Sequence, residues 1–193
     1  MWWLLPIAAV GAAGAIYSYF DGEAKDARRR WQRDRARVER TVEEHRQNIE
    51  RRLDEAQASY DFHLLTDLHH SSFKVGDEAY RLLSDARASL DVLGRMLVDA
   101  KARRGEFQDV LRQERDPERR RQLFAEIDML NELRAQVFPD KDELKGQRDQ
   151  LLAEVQRLNA QTRRLKEAIR DRCGSRGREW HAKLEERRAA RRS

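Results

Sequence analysis

The strongest constraint on the fold is a run of leucines spaced seven residues apart towards the end of the chain. Leu144, Leu151, Leu158 and Leu165 follow this spacing strictly, and further apolar side chains lie between them. A heptad of this kind lines one side of an α-helix with apolar side chains, which must be buried against another helix. The pattern predicts a long helix whose leucines form a coiled-coil seam.

A second seam is predicted over residues 77–115. Leu83, Leu90 and Leu97 belong to a series of apolar positions that alternate spacings of four and three. Charged residues make up 39% of the chain, which contains 9 Gly and only 3 Pro, so turns are few. Because this composition is typical of long helices rather than a compact domain, the sequence predicts an all-α protein with coiled-coil helices.

Two prolines mark breaks in the helical region. Asp116 is placed to cap a helix whose first residue is Pro117. After Pro139, Asp140 and Glu143 fit a capping box, which predicts a new helix and at least one helical hairpin near Pro139. Whether each break is a kink or a turn stays open at this point.

The sequence therefore divides into five predicted regions. They are a transmembrane anchor (1–21), a basic juxtamembrane helix (22–68), a connection (69–76), a coiled-coil or helical-bundle region (77–173) with breaks at Pro117 and Pro139, and a basic carboxyl-terminal tail (174–193). Gly174 is expected to end the last long helix, since glycine adopts the conformation that a helix end requires.

The anchor is predicted from a charge-free segment, residues 2–20. As a helix it would extend roughly 28 Å, close to the thickness of the hydrocarbon core of a bilayer. Trp2 and Trp3 lie at one end of it and Tyr17, Tyr19 and Phe20 at the other, as in the aromatic belts of membrane spans. No basic residue precedes the tryptophans, which favours a retained anchor over a cleaved signal peptide or a buried soluble helix.

Arginines follow the predicted span directly. Arg28, Arg29, Arg30 and Arg33 favour a topology with the amino terminus outside and the helices in the cytoplasm, by the positive-inside rule. They are also candidates for contact with anionic lipid or phosphate groups. The predicted location is a bacterial inner membrane, crossed once. The opposite topology, with periplasmic helices, is the alternative.

Clustered polar residues give a weak signal for a metal site. His63, His69 and His70 lie near Asp61 and Asp67, but a zinc site needs three or four ligands that converge on one point. We interpret this cluster as a polar helix end and predict no metal ligands.

No catalytic or cofactor-binding residues are predicted either. Cys173 lies close to several arginines, which would lower the pKa of a thiol, but no catalytic partner is fixed by spacing. Phosphate-binding loops and hydrolase or zinc-protease motifs are not found in the sequence. We therefore expect no enzyme activity, no cofactor and no small-molecule substrate.

These observations predict a non-catalytic, membrane-anchored coiled-coil scaffold or tether. Its expected partners are membrane lipid and proteins bound through the coiled coil, including further copies of the chain. A membrane-tethered nucleic-acid-binding module with arginine-rich ends is the first alternative, and a periplasm-facing envelope or lysis protein is the second. Trp180 and Leu184, spaced four apart in a basic tail, give that tail a possible docking face.

Overall fold

A computed structural model of the chain describes residues 7–55 and 61–190, with side chains for 29–54 and 61–190. Its secondary structure within these ranges is α-helical, which confirms the predicted all-α class. The helices are α1 (Ile7–Glu55), α2 (Phe62–Gln113), α3 (Pro117–Arg172) and α4 (Gly174–Ala190).

The starts of α2 and α3 are capped by aspartates. The carboxylate of Asp61 accepts hydrogen bonds from the backbone N–H groups of His63 (2.9 Å) and Leu64 (3.2 Å). Asp116 accepts from the N–H of Glu118 at 3.2 Å, and Pro117 is the first residue of α3. Each aspartate satisfies N–H groups that have no partner inside the helix. The break before Pro117 is therefore a turn between α2 and α3.

The predicted hairpin near Pro139 is wrong, because α3 continues through Pro139 as one helix. The buried apolar side of α3 keeps its register across the proline, from Leu133 and Val137 to Leu151. A turn at this point would separate these side chains, whereas a proline on the exposed side removes one backbone hydrogen bond. Asp140 and Glu143 lie within the helix and do not cap a new one.

The predicted connection at 69–76 is also wrong, since these residues are helical within α2. His69 and Ser72 are buried, with 3% and 4% of their surfaces exposed. The hydroxyls of Ser71 and Ser72 donate to the carbonyls of Asp67 and Leu68, four residues earlier, so both serines bond within the helix. Leu68, expected near the end of the first helix, lies in α2, and α1 ends at Glu55.

The helices group into two compact units. Unit 1 contains residues 1–32 and 84–148, and unit 2 contains residues 33–83 and 149–193. In unit 1, α2 and α3 enclose a core formed by Leu93, Met96, Ala100, Leu130, Leu133 and Val137. They run antiparallel, as the hydrogen bond from Arg104 to Asn131 (3.2 Å) near their connecting turn shows.

Unit 2 contains segments of all four helices. Arg35 of α1 bonds Gln150, and Arg46 bonds Gln161, so α1 and α3 run parallel. α2 runs antiparallel to α1, because His45 pairs with Ser72 and Arg37 with Glu78.

The segment predicted as a basic tail forms α4, which folds back on α3. Gly174 has a φ of +61°, a conformation that favours glycine and reverses the chain direction there. At Gly177, a Cβ would lie 2.0 Å from the carbonyl oxygen of Ile169, so only glycine fits. Lys166 of α3 pairs with Glu185 of α4 at 2.8 Å. The structure thus makes α4 a part of unit 2.

Across the residues that the structure describes, no helix is both long enough and apolar enough to cross a membrane. Trp2 and Trp3 of the predicted span lie outside those residues. Tyr17, Tyr19 and Phe20 lie on α1, where the backbone alone is described.

Candidate functional site

One side of α1 is buried and the other carries arginines. Trp31, Val38, Val42 and Ile49, whose spacings in the sequence place them on one side of a helix, have at most 4% of their surfaces exposed. Within unit 1, the indole N–H of Trp31 donates to the side-chain oxygen of Gln147 at 2.7 Å. These contacts fix which side of α1 faces outward.

The outward side of α1 is an arginine face, formed by Arg29, Arg30, Arg33, Arg37 and Arg40. All of these side chains are exposed. With about 100° of rotation per residue, Arg29, Arg33 and Arg40 lie nearly opposite Trp31, and Arg30 and Arg37 lie at the two edges of this face. Arginine guanidinium groups bind carboxylates and phosphates in bidentate geometry, so this face suits an anionic surface. Of the predicted contact residues, Arg28 lies on α1 without a described side chain.

Two arginines on or near this face have partners within the chain. Arg35 turns inward, where it bonds Glu39 at 2.6 Å and Gln150 at 3.1 Å. Arg37 forms an ion pair with Glu78 of α2. Arg37 and Arg40 were not among the predicted contact residues, although the helical period that buries Trp31 would have identified them from the sequence.

A polar network joins α1 and α3 inside unit 2. Arg46 bonds Gln161 at 3.2 Å, Glu154 at 2.7 Å and Glu43 at 2.8 Å, with 17% of its side chain exposed. Gln161 in turn donates to Glu50. Because the donors and acceptors of this network satisfy one another across the helix interface, it fixes how the two helices align.

A second polar contact joins α1 and α2 in unit 2. The hydroxyl of Ser72 donates to the carbonyl of Leu68 at 3.0 Å, so the ring N–H of His45, 2.9 Å away, donates to the Ser72 oxygen. Burial lowers the pKa of His45, and a backbone bond to Leu68 partly opposes this effect. This contact joins α1 and α2 across their interface.

The histidines considered as metal ligands are used in other ways. Asp61 caps α2, while His63 and His70 are exposed. His69 lies with its ring edge-to-face with Trp180 of α4 (4.9 Å between centroids) and with Phe73 (5.0 Å). Among described residues, no group of three or more His, Cys, Asp or Glu side chains is arranged to hold a metal ion.

The thiol of Cys173 has a raised pKa. Burial is the main cause, and the negative charge of Asp61 adds to it. The expectation that nearby arginines would lower the pKa of this thiol is therefore wrong. A thiol with a raised pKa carries less of the reactive thiolate at neutral pH.

The predicted seam leucines differ in burial. Leu90, Leu151, Leu158 and Leu165 are buried, with 8%, 0%, 1% and 0% of their surfaces exposed. Leu97 and Leu144 are partly buried and pack against the core of unit 1. Leu83 is also partly buried, and the neighbouring Leu82 takes the core position. These leucines pack within a single chain.

Unit 1 combines exposed apolar side chains with one buried charge. Val98, Phe124 and Phe138 have 67%, 49% and 57% of their surfaces exposed. Glu126 is 4% exposed, and one of its carboxylate oxygens is buried without a hydrogen-bond partner. Burial raises the pKa of this carboxyl. The sequence signal for Glu126 was its position between Leu123 and Leu130, within the apolar stripe of α3.

No protein-family model matches the sequence, and comparisons with curated proteins and with solved structures gave no match.

Proposed function

We propose that the chain is a non-catalytic, membrane-anchored helical scaffold that holds partners at the cytoplasmic face of a membrane. The observation that carries this proposal is the arginine face of α1, which directly follows the apolar segment predicted as the anchor. Exposed arginines beside a bilayer contribute about 1 kcal/mol each through attraction to anionic lipids. The same arginines hold the helices on the cytoplasmic side by the positive-inside rule.

The internal contacts support a structural rather than a catalytic role. The buried network around Arg46 and the pair formed by His45 and Ser72 are both engaged in joining helices. Because Leu151, Leu158 and Leu165 are covered within the chain, the scaffold presents other surfaces to its partners. Val98, Phe124 and Phe138 are three of the large exposed apolar side chains that such partners would cover.

Membrane fractionation of the full-length chain tests the anchor. We expect the protein to stay in the membrane pellet after washes with high salt and with alkaline carbonate. A reporter fused after Ser193 tests the topology, and we expect activity in a cytoplasmic format only. Protein that the salt wash releases would contradict the anchor, and a reporter active only in the periplasm would contradict the orientation.

Replacing Arg29, Arg30 and Arg33 together with glutamine tests the arginine face. We expect a measurable fraction of reporter fusions to invert, since these residues lie within the distance over which flanking charges direct insertion. The matched control replaces the exposed arginines Arg121, Arg163 and Arg164, which lie on α3. If both variants invert equally, or neither does, the arginine face does not determine topology.

A nucleic acid is the second candidate ligand for the arginine face, because guanidinium groups bind its phosphates equally well. In detergent, the full-length chain would then bind a duplex with an affinity that falls steeply as salt increases. Arg29→Gln, Arg30→Gln and Arg33→Gln would reduce this salt dependence. No binding at low salt would exclude this candidate.

A further inference from the structure

The contact that holds α4 on unit 2 depends on a buried, uncharged histidine. His69 of α2 has 3% of its surface exposed and lies edge-to-face with both Trp180 and Phe73. Phe73 belongs to α2, so Trp180 is the aromatic contact that α4 itself supplies. An imidazole in this position packs as an aromatic ring, and this packing suits its neutral form.

The charges around His69 oppose a proton on its ring. Lys166 of α3 and Arg188 of α4 both act on it as positive charges, and His70 adds a smaller effect from α2. Glu185, the acidic residue of α4 at this level, is already bonded to Lys166 at 2.8 Å and to Arg188 at 3.2 Å. The side of α2 that faces α1 presents Leu68 and Ser72, with Ser72 bonded to His45. Burial and these cations together lower the pKa of His69 to about 4.

The other described contacts of α4 are with α3. α4 joins α3 at Gly174, whose φ of +61° makes it the turning point, and Gly177 packs on the Ile169 carbonyl just beyond it. Past this first turn, α4 is held by Trp180 on His69 and by the exposed ion pair of Lys166 with Glu185. The core leucines of unit 2, Leu151, Leu158 and Leu165, are carried by α3 and remain when α4 leaves.

We propose that α4 is a detachable strap, and that protonation of His69 releases it from unit 2 beyond Gly177. A charged ring between Trp180 and two cations favours the state in which α4 has moved away and water reaches the imidazole. In that state His69 regains an ordinary pKa near 6.5. Acidification then exposes the apolar face of α4, with Trp180 and Leu184, on a helix that is otherwise charged.

Hydrogen exchange of the full-length chain in detergent micelles tests this proposal. After correction for intrinsic exchange rates, we expect the protection of amides in 180–190 to fall about 30-fold between pH 7.5 and pH 5, by linkage between the two pKa values of His69. Amides of α3 between Leu151 and Leu165 serve as the internal reference and should keep their protection.

Two substitutions test whether His69 is the group whose protonation releases α4. His69→Phe keeps the aromatic contact with Trp180 but cannot be protonated, so α4 should stay protected at pH 5. His70→Gln, at the exposed neighbouring position, should leave the 30-fold loss intact. If His69→Phe loses protection as the unsubstituted chain does, or if α4 stays protected in the unsubstituted chain at pH 5, the proposal is wrong.

An NMR titration of the histidine ring signals keeps the test decisive even if His69→Phe folds poorly. The signal that disappears in this variant belongs to His69, and it should titrate well below the ordinary histidine pKa near 6.5. An ordinary pKa for His69 in the folded chain would overturn the proposal. If the variant is too poorly folded to assign the signal, the unsubstituted chain should still show one ring signal that titrates near pH 4 together with the loss of α4 protection.

Discussion

Units 1 and 2 share segments of α1, α2 and α3 but treat their buried polar groups differently. In unit 2, Arg46 is paired with Glu154 and Gln161 in a satisfied network. In unit 1, Glu126 is more deeply buried than Arg46, and one of its oxygens has no hydrogen-bond partner, as is also true of the Arg52 Nε atom in unit 2. A buried polar atom without a partner keeps its desolvation cost, so Glu126 reduces the stability of unit 1, whereas the groups bonded to Arg46 compensate one another in unit 2.

The two units also differ in how many residues of their helices disfavour a helix interior. Unit 1 contains Pro139 within α3, and Gly94 and Gly105 within α2. A Cβ atom at either glycine would meet no backbone atom, so close packing does not require glycine there. Each of these residues disfavours a helix interior. In unit 2, Leu151 and Leu165 of the same α3 helix are completely buried. We infer that unit 2 supplies most of the stability and that unit 1 opens more readily.

The largest expected effect is the loss of a seam leucine in unit 2. Leu158→Ala should reduce the free energy of unfolding by about 2–5 kcal/mol, because it leaves a cavity beside fully buried neighbours. Leu133→Ala in unit 1, where 9% of the side chain is exposed, should cost less. Chemical denaturation followed by circular dichroism measures both. A larger loss for Leu133→Ala would reverse the comparison.

The pH dependence of the two units should have opposite signs. The folded pKa of His69 lies below its unfolded value, so its contribution to unit 2 is complete above pH 6.5 and is lost as the pH falls towards 4, by roughly 3 kcal/mol. The folded pKa of Glu126 lies above its unfolded value, so its contribution to unit 1 is present below about pH 4.5 and is lost as the pH rises.

Chemical denaturation at pH 7.5 and pH 5, with hydrogen exchange to separate the units, measures how the stability of each unit changes with pH. His69→Phe should flatten the dependence in unit 2, and Glu126→Gln should flatten it in unit 1. Slopes of the same sign in both units would show that other groups dominate.

Substituting Arg46 and Glu126 should also give opposite results. Arg46→Met removes the hydrogen bonds that Arg46 donates to Glu154 and Gln161 and should destabilise the protein by roughly 1–3 kcal/mol. Glu126→Leu removes an uncompensated charge and should stabilise it by a similar amount. The controls are the exposed Arg157→Met, whose side chain also bonds Glu154, and the exposed Glu132→Leu. Equal effects in variant and control would mean that burial does not set the cost.

The smallest expected effect is the difference in stability loss between alanine substitutions of two adjacent leucines of α2. Leu82→Ala should cost about 1 kcal/mol more than Leu83→Ala, because Leu82 is 6% exposed and Leu83 only partly buried. The measurement is again the midpoint of chemical denaturation. If Leu83→Ala is the more damaging, the seam predicted from the heptad is the correct one.

These leucines show which parts of the fold a period in the sequence can predict. The caps at Asp116 and Gly174 follow from local rules and were predicted, and the buried side of α1 follows from the helical spacing of its apolar residues. The shift from Leu83 to Leu82 arises because a helix of 3.6 residues per turn drifts from a strict heptad and because α2 packs on two neighbours. The heptad pattern of α2 alone does not show that a second helix packs against it.

The errors at Pro139 and at residues 69–76 have the same origin. Proline and paired serines usually end helices, but the burial of Leu133, Val137 and Leu151 on either side of Pro139, and of His69 and Ser72, outweighs that preference. The arginine face was predicted in part, since charge density is visible in the sequence. The contact of His69 with Trp180 joins two residues more than a hundred positions apart, and composition gives no hint of it.

The close approach at Gly177 limits how the linker before α4 can vary. Any side chain at this position would collide with the Ile169 carbonyl, so α4 cannot slide along α3 to absorb an inserted or deleted residue. One residue more between Cys173 and Gly177 would rotate α4 by about 100°. Trp180 would then miss His69 and Glu185 would miss Lys166. Homologous chains with this contact should therefore tolerate many substitutions along α4 but no change of length between Cys173 and Gly177.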